Sequence, residues 1–77
     1  MDPRAERSRV ALRNAMLTLI KQKPYDEIQI KDITDCANTG RVTFYRHYAS
    51  KEELLLDFIA HIYALIRPLI QVHTASE

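Results

Sequence analysis

Three features of this 77-residue sequence predict an all-α fold. Apolar residues recur at three- and four-residue spacings in four separate stretches. The one short run that reads as a strand, Ile28 to Ile30, has no second run to pair with, and isolated strands are not stable. The only glycine, Gly40, falls in a tight Asn-Thr-Gly turn between two short helical segments. The expected architecture is three helices, the second and third joined as a helix-turn-helix, followed by a fourth amphipathic helix. A chain of this length forms one domain with a thin core and modest stability.

The first helix is expected to begin between Asp2 and Ser8. Asp2-Pro3 offers a cap followed by proline at the first helical position, and Ser8 offers a later start. Leu12, Ala15, Met16, Leu19 and Ile20 then form one buried stripe. Pro24 closes the helix, because the residue before a proline is pushed out of the helical region. Tyr25 is expected to fold back onto the core, with Asp26 and Glu27 in water.

Gln29 to Ala37 reads as a short helix, with Ile30, Ile33 and Ala37 on one face and Cys36 beside them. Asn38-Thr39-Gly40 supplies the turn, since Asn and Gly tolerate positive φ best. Arg41 to Tyr48 forms the next helix. Ser50 and Glu53 have the spacing of a capping box, which opens the fourth helix. Leu55, Phe58, Ile59, Ile62, Ile66 and Leu69 follow at helical intervals, and Pro68 is expected to end or kink the helix near Arg67. Val72 to Glu77 carries little pattern and is expected to fray.

Charge is sorted along the chain. Residues 1–23 carry net +4, 24–38 net −3, 39–51 net +3 and 52–77 net −3, which sums to +1. The two positive blocks would form one surface if the first helix packs beside the third. Cys36 is the only cysteine, so no internal disulfide forms; it reads as a small buried thiol in a reducing compartment. The charged N-terminus does not resemble a signal peptide. Asp57, His61, Arg67 and Pro68 interrupt the apolar run from Leu54 to Val72, which argues for an amphipathic helix and against a membrane span. The expected compartment is the cytoplasm. No cofactor is implied, and no metal site: His47, His61 and His73 are dispersed, and no acid stands at ligand spacing. One cysteine, no clustered acids, no glycine-rich loop and no nucleophile–base spacing leave an enzyme reading without a site.

The most informative stretch is Thr43-Phe44-Tyr45-Arg46-His47-Tyr48-Ala49-Ser50-Lys51-Glu52-Glu53-Leu54. Phe44 and Tyr48 share the inward face of a helix, whereas Thr43, Arg46 and His47 share another face bordered by Tyr45. A short helix that is apolar behind, donor-rich in front and free of acids suits a phosphate backbone.

With Lys23-Pro24-Tyr25 and the Ile30-x-x-Ile33 lead-in upstream, this string resembles the tetracycline-repressor (TetR) family of bacterial regulators, over roughly Val10 to Ile59. The resemblance implies an all-α, homeodomain-like three-helix DNA-binding domain over residues 1–50, with its helix-turn-helix at about 31–48. Residues 51–77 would be a fourth helix and tail leading to a ligand-binding and dimerisation domain absent from this chain. The implied partner is double-stranded DNA, a palindromic operator bound by a homodimer of the full-length protein. A small-molecule inducer would act only through the absent domain, on what the resemblance suggests is a repressor.

Carried over by position, the resemblance places Lys31 near backbone or base. Arg41 and Val42 face bases, and Thr43 faces a base or an adjacent phosphate. Tyr45 and His47 position the helix on phosphates, and Lys51 reaches a phosphate from outside the groove. Phe44, Tyr48 and Leu54 match core positions. The turn departs from the family's usual Ala-Gly-Val-Ser. Here Asn38 stands for the glycine, Thr39 for an apolar residue, and Gly40 for the serine cap that also meets a phosphate. Val42 replaces a common glycine and can touch a thymine methyl.

Other readings stay open. Arg46 divides between phosphate contact and a solvated surface. Lys31 lies among Asp32 and Asp35, so an intrahelical ion pair competes. Lys51, a cation at a helix N-terminus, runs against the macrodipole and asks for an external reason. Arg4, Arg7, Arg9 and Arg13 form either a soluble face or a basic arm that follows the phosphates or the minor groove. The far apolar end of the fourth helix, Ile62 to Ile70, would be exposed here and prone to self-association. A module of another class would use that stripe to dock a protein partner and would no longer bind DNA.

Overall fold

A computed structural model describes the backbone of residues 3–75 and the side chains of residues 3–69. The chain folds as α1 (Pro3–Ile20), a 3-10 turn (Tyr25–Glu27), α2 (Ile30–Ala37), α3 (Arg41–His47) and α4 (Lys51–Ala75), with no strand among the described residues. The all-α expectation holds. The helix α1 starts at Pro3, which suits a residue without an N–H to give. The expected cap at Asp2 lies outside the described residues.

Among the described residues, ten make the core: Leu12, Ala15, Met16 and Leu19 from α1, Ile28, Ile33, Phe44, Tyr48, and Leu54 and Phe58 from α4. Ile20 is not among them. It is exposed, at the last position of α1 where the chain turns at Lys21 and Gln22. The backbone N–H groups of Gln22 and Lys23 both bond back to the Leu19 carbonyl and close the helix before Pro24. Tyr25 packs against the core from its edge, and the Ile28 N–H donates to its carbonyl at 3.0 Å. Ile28 is buried behind this 3-10 turn rather than extended in a strand.

The inward face of α2 is Ile30, Ile33, Thr34 and Ala37, a one-face helical repeat in which Thr34 holds a buried position. Its hydroxyl donates to the Lys31 carbonyl, which satisfies the group without a partner from outside the helix. Cys36 points the other way and is exposed, contrary to the buried thiol expected, because Thr34 and not Cys36 completes the stripe. At the N-terminus Asp32 accepts from the Gln29 N–H at 2.9 Å and pairs with Lys23 at 3.0 Å. Those two bonds, the backbone one foremost, hold the Asp32 carboxyl below its ordinary range.

Asn38 ends α2 in the left-handed region (φ 57°, ψ 48°), and the Thr39 N–H closes back on the Thr34 carbonyl at 2.9 Å. Gly40 does not use its freedom. It sits at φ −103° as the N-cap of α3, so only Asn38 carries the positive φ of the turn.

At the start of α4, the Glu53 N–H donates to Ser50 Oγ at 3.2 Å and the Ala49 N–H donates to Glu53 Oε1 at 3.1 Å. The reciprocal cap is present, shifted by one residue on the carboxylate side. The helix then runs through Pro68 to Ala75 instead of ending near Arg67. A proline deletes one backbone bond and crowds one carbonyl, a loss that the turns on either side can bridge without the helix ending. Val72 to Ala75 continue the helix, and residues 76 and 77, the rest of the tail expected to fray, lie outside the described residues. Leu55 is half-buried and Phe58 buried, but Ile59, Ile62, Tyr63, Leu65, Ile66 and Leu69 are exposed. Ile70, at the end of the expected stripe, has its side chain outside the described residues.

Candidate nucleic-acid interface

The short helix α3 is held by its back. Phe44 is fully buried, Tyr48 follows it into the core with ring centroids 5.8 Å apart, and the Tyr45 ring meets Phe44 edge-on at 5.3 Å. That anchorage fixes what the opposite side presents. Val42 is 70% exposed and Tyr45 54%, with Arg41 and Arg46 also in solvent. Thr43 and His47, one turn apart, are half-buried. No acid occurs in α3, and Arg46 and His47 lie in its last turn, where cations complement the helix dipole.

Thr43, Arg46 and His47 converge with Arg4, Ala5 and Ser8 of α1 around an open cleft of about 380 Å³. The two positive blocks of the sequence therefore meet, at the first turns of α1 and the back half of α3. The four α1 arginines divide. Arg4 lines this cleft, and Arg7 faces an outer groove with Val10 and Asn14. Arg9 pairs with Glu6 at 3.2 Å, and Arg13 pairs with Asp57 at 3.3 Å and Glu6 at 3.6 Å.

The remaining candidate residues lie around α2 and the ends of the turn. Lys31 is exposed and forms the i,i+4 pair with Asp35 at 2.9 Å, both side chains 65% exposed. Such a pair contributes little and opens easily to another anion. Thr39 is half-buried and, with Thr34, Asp35 and Asn38, borders a separate cleft. Gly40 offers no side-chain cap, and its carbonyl accepts the first α3 bond from the Phe44 N–H. Lys51 does not join the α1–α3 cleft. Its ammonium donates to the carbonyls of Ile28 at 2.8 Å and Tyr25 at 3.1 Å and sits 4.3 Å from the Tyr25 ring centre. This accounts for a lysine at the N-terminus of α4 despite the macrodipole. Lone-lysine spacing gave no hint of it, because the acceptors are backbone carbonyls more than twenty residues away.

Sequence reasoning also missed a three-way link behind the interface. The Tyr48 hydroxyl, at the C-cap of α3, donates to the Asp57 carboxylate, which also receives Arg13 from α1. Partial burial pushes the Asp57 carboxyl up, but Tyr48 and Arg13 outweigh it and hold the group below its ordinary value. Burial, and then the Asp57 carboxylate, push the Tyr48 hydroxyl well above that of a free tyrosine. The Arg13–Asp57–Tyr48 positions were legible only as a soluble arginine, a charge in an apolar run and a core aromatic.

The family model described as bacterial regulatory proteins, tetR family, matches residues 12–58. The chain belongs to this family. The match runs from the first core residue of α1 to the last of α4, Phe58, and so takes in the whole helix-turn-helix. An uncharacterized HTH-type transcriptional regulator, YxbF, from Bacillus subtilis (strain 168) is 48% identical over 60 residues. That alignment covers 77% of this chain and 16% of YxbF, so the tetR-family chain spans about a sixth of that relative's length. No solved structure matches at a comparable level of significance. Among the described residues, no helix is long and apolar enough to cross a membrane.

Proposed function

We propose that this chain is the DNA-binding part of a transcriptional regulator and reads double-stranded DNA through α3. The observation that carries this reading is the acid-free outer side of α3, anchored from behind by Phe44 and flanked by the basic start of α1. Phosphates demand cations and hydroxyls in reach, and base edges demand side chains standing clear of the core. Arg41 and Val42 open the helix and read bases, with Thr43 at a base or the neighbouring phosphate. Tyr45, Arg46 and His47 position the helix on the backbone, aided by Lys31, Thr39, Gly40 and Lys51. In this reading residues 1–50 form the DNA-binding unit, and residues 51–77 lead to a domain beyond this chain.

The full-length protein is proposed to act as a repressor. A homodimer would place two copies of α3 in successive major grooves of a palindromic operator, about 34 Å apart. A small molecule bound in the second domain would change that spacing and release the DNA. The exposed stripe on α4 is the surface that this larger protein would cover.

Titration of the chain with duplex DNA at several salt concentrations tests the reading. Affinity should fall steeply with salt, and selection from a random duplex pool should converge on a common half-site. A docking module that had lost DNA would use the same exposed α4 stripe and show no salt-dependent affinity for any duplex.

A further inference from the structure

The cleft between α1 and α3 differs from every other groove described on the molecule. Among the described residues its lining is Arg4, Ala5, Ser8, Thr43, Arg46 and His47: two guanidiniums, two hydroxyls, an imidazole and a methyl, with no carboxylate. The groove between α1 and α4 is largely apolar, and the cleft under the turn contains Asp35. The acid closest in sequence on α1, Glu6, is not among the lining residues and is already paired with Arg9 and Arg13. None of these described residues would repel an anion, and each helix contributes a hydroxyl-bearing residue to the lining.

We propose that this cleft seats one phosphodiester of the bound duplex, so that α1 and α3 grip the same strand from two sides. This rests on the DNA-binding reading and deepens it, because Arg4 and Ser8 become contact residues alongside Thr43, Arg46 and His47. The chemistry is that of a singly charged, tetrahedral oxyanion. Guanidiniums supply charge-assisted bonds, and Ser8 and Thr43 donate to the remaining oxygens. The duplex is the source because the cleft shares Thr43, Arg46 and His47 with the helix that faces it. A phosphate there fixes the tilt of α3 without reading a base.

The test compares the wild-type chain with Arg4→Ala, Ser8→Glu, Ser8→Ala and Arg67→Ala on one selected duplex. Arg4 and Ser8 lie outside the core, and far-UV circular dichroism checks that each variant keeps its helices. Arg4→Ala and Ser8→Glu should each lower affinity about three- to tenfold and reduce the salt slope by about one. Both should abolish ethylation interference at one phosphate per half-site and leave the base preference unchanged. Ser8→Ala should show a smaller loss at the same phosphate, and Arg67→Ala should match the wild type. Wild-type slope and interference pattern in both Arg4→Ala and Ser8→Glu would overturn the seat while leaving the DNA reading intact. A wild-type chain without salt-dependent binding would overturn both. Inorganic phosphate at millimolar concentration should not compete detectably; strong competition would mark a site for the free anion and overturn the duplex assignment.

Discussion

Lys51 Nζ lies 2.8 Å from the carbonyl oxygen of Ile28, so the first residue of α4 is clamped to the segment that enters α2. The same ammonium takes the Tyr25 carbonyl and the face of the Tyr25 ring. One cation thus ties the 3-10 turn and the entry to α2 to the start of α4, alongside the bond that the Tyr25 hydroxyl donates to Glu52 at 3.0 Å.

Removing that cation should cost stability as well as affinity. Lys51→Met keeps the stem and deletes the charge, leaving the two carbonyls to water. We expect a loss of about 1–2 kcal/mol, read as a lower urea midpoint with an unchanged m-value. An ammonium has three protons, and two are held by the carbonyls. The third has no carbonyl acceptor, and if a phosphate takes it in place of the Tyr25 ring the salt slope of binding should fall as well. A lower midpoint with an unaltered slope would leave Lys51 as a clamp alone.

How far the sequence was legible follows the nature of each signal. Periodicity located all four helices, and hydrophobic spacing picked out Leu12, Met16, Ile33, Phe44 and Phe58 correctly. Such patterns report a face, and a face is a local property. They failed where a distant element decides. Ile20 continues the α1 stripe, but it is exposed among the described residues. Thr34 looks polar, yet its hydroxyl is satisfied within the helix and the residue is buried next to Ile33. Pro68 looks like a stop, but one missing bond does not end a helix whose neighbouring turns stay intact. At the interface the residue types were readable, whereas the meeting of Arg4 and Ser8 with α3 depends on how α1 packs.

The Asp57 link makes stability depend on pH at both ends. Asp57 and Asp32 have lowered values in the folded state, so the folded chain releases these protons more readily than the unfolded one. Their contribution is complete above the unfolded carboxyl value, about 3.9, and is lost as pH falls through the folded values. The tyrosines act in the opposite direction. Tyr25, lifted to about 12 by burial and its bond to Glu52, and Tyr48 contribute fully below about 10 and lose that contribution as pH rises through their folded values. Urea midpoints across pH should therefore drop in acid and again above about pH 10. Asp57→Asn should flatten the acid limb and Tyr48→Phe the alkaline one; unchanged limbs in both variants would contradict the link.

Asn38 carries the turn's only positive φ, which makes it the sensitive position and Gly40 the tolerant one. Glycine at 38 reaches the left-handed region freely, so Asn38→Gly should stay within about 0.5 kcal/mol of the wild type. A β-branched residue clashes there, and Asn38→Val should lose about 1–2 kcal/mol. Gly40 is different: a Cβ built on it meets nothing within 4 Å, and its φ is ordinary. Gly40→Ser should be neutral or slightly stabilising, since it restores a side-chain acceptor at the N-cap of α3. Thermal unfolding of the three variants checks the order.

Val42 is the most exposed apolar side chain of α3 and stands on the side opposite Phe44. Its position suits contact with a base edge, where an apolar branch favours a thymine methyl. Val42→Gly and Arg41→Ala should therefore change which duplexes are selected, and Val42→Gly, which removes no charge, should leave affinity for random duplex and its salt slope nearly as before. Tyr45→Phe and His47→Ala should do the reverse, leaving the selected sequence as before and weakening every duplex alike by about three- to tenfold. The separation follows from geometry, because residues 41 and 42 open the helix and His47 closes it beside α1. Paired selection and salt-titration experiments read both quantities on each variant. If the two groups shifted selection alike, the assignment of base-reading and phosphate-holding residues along α3 would be wrong.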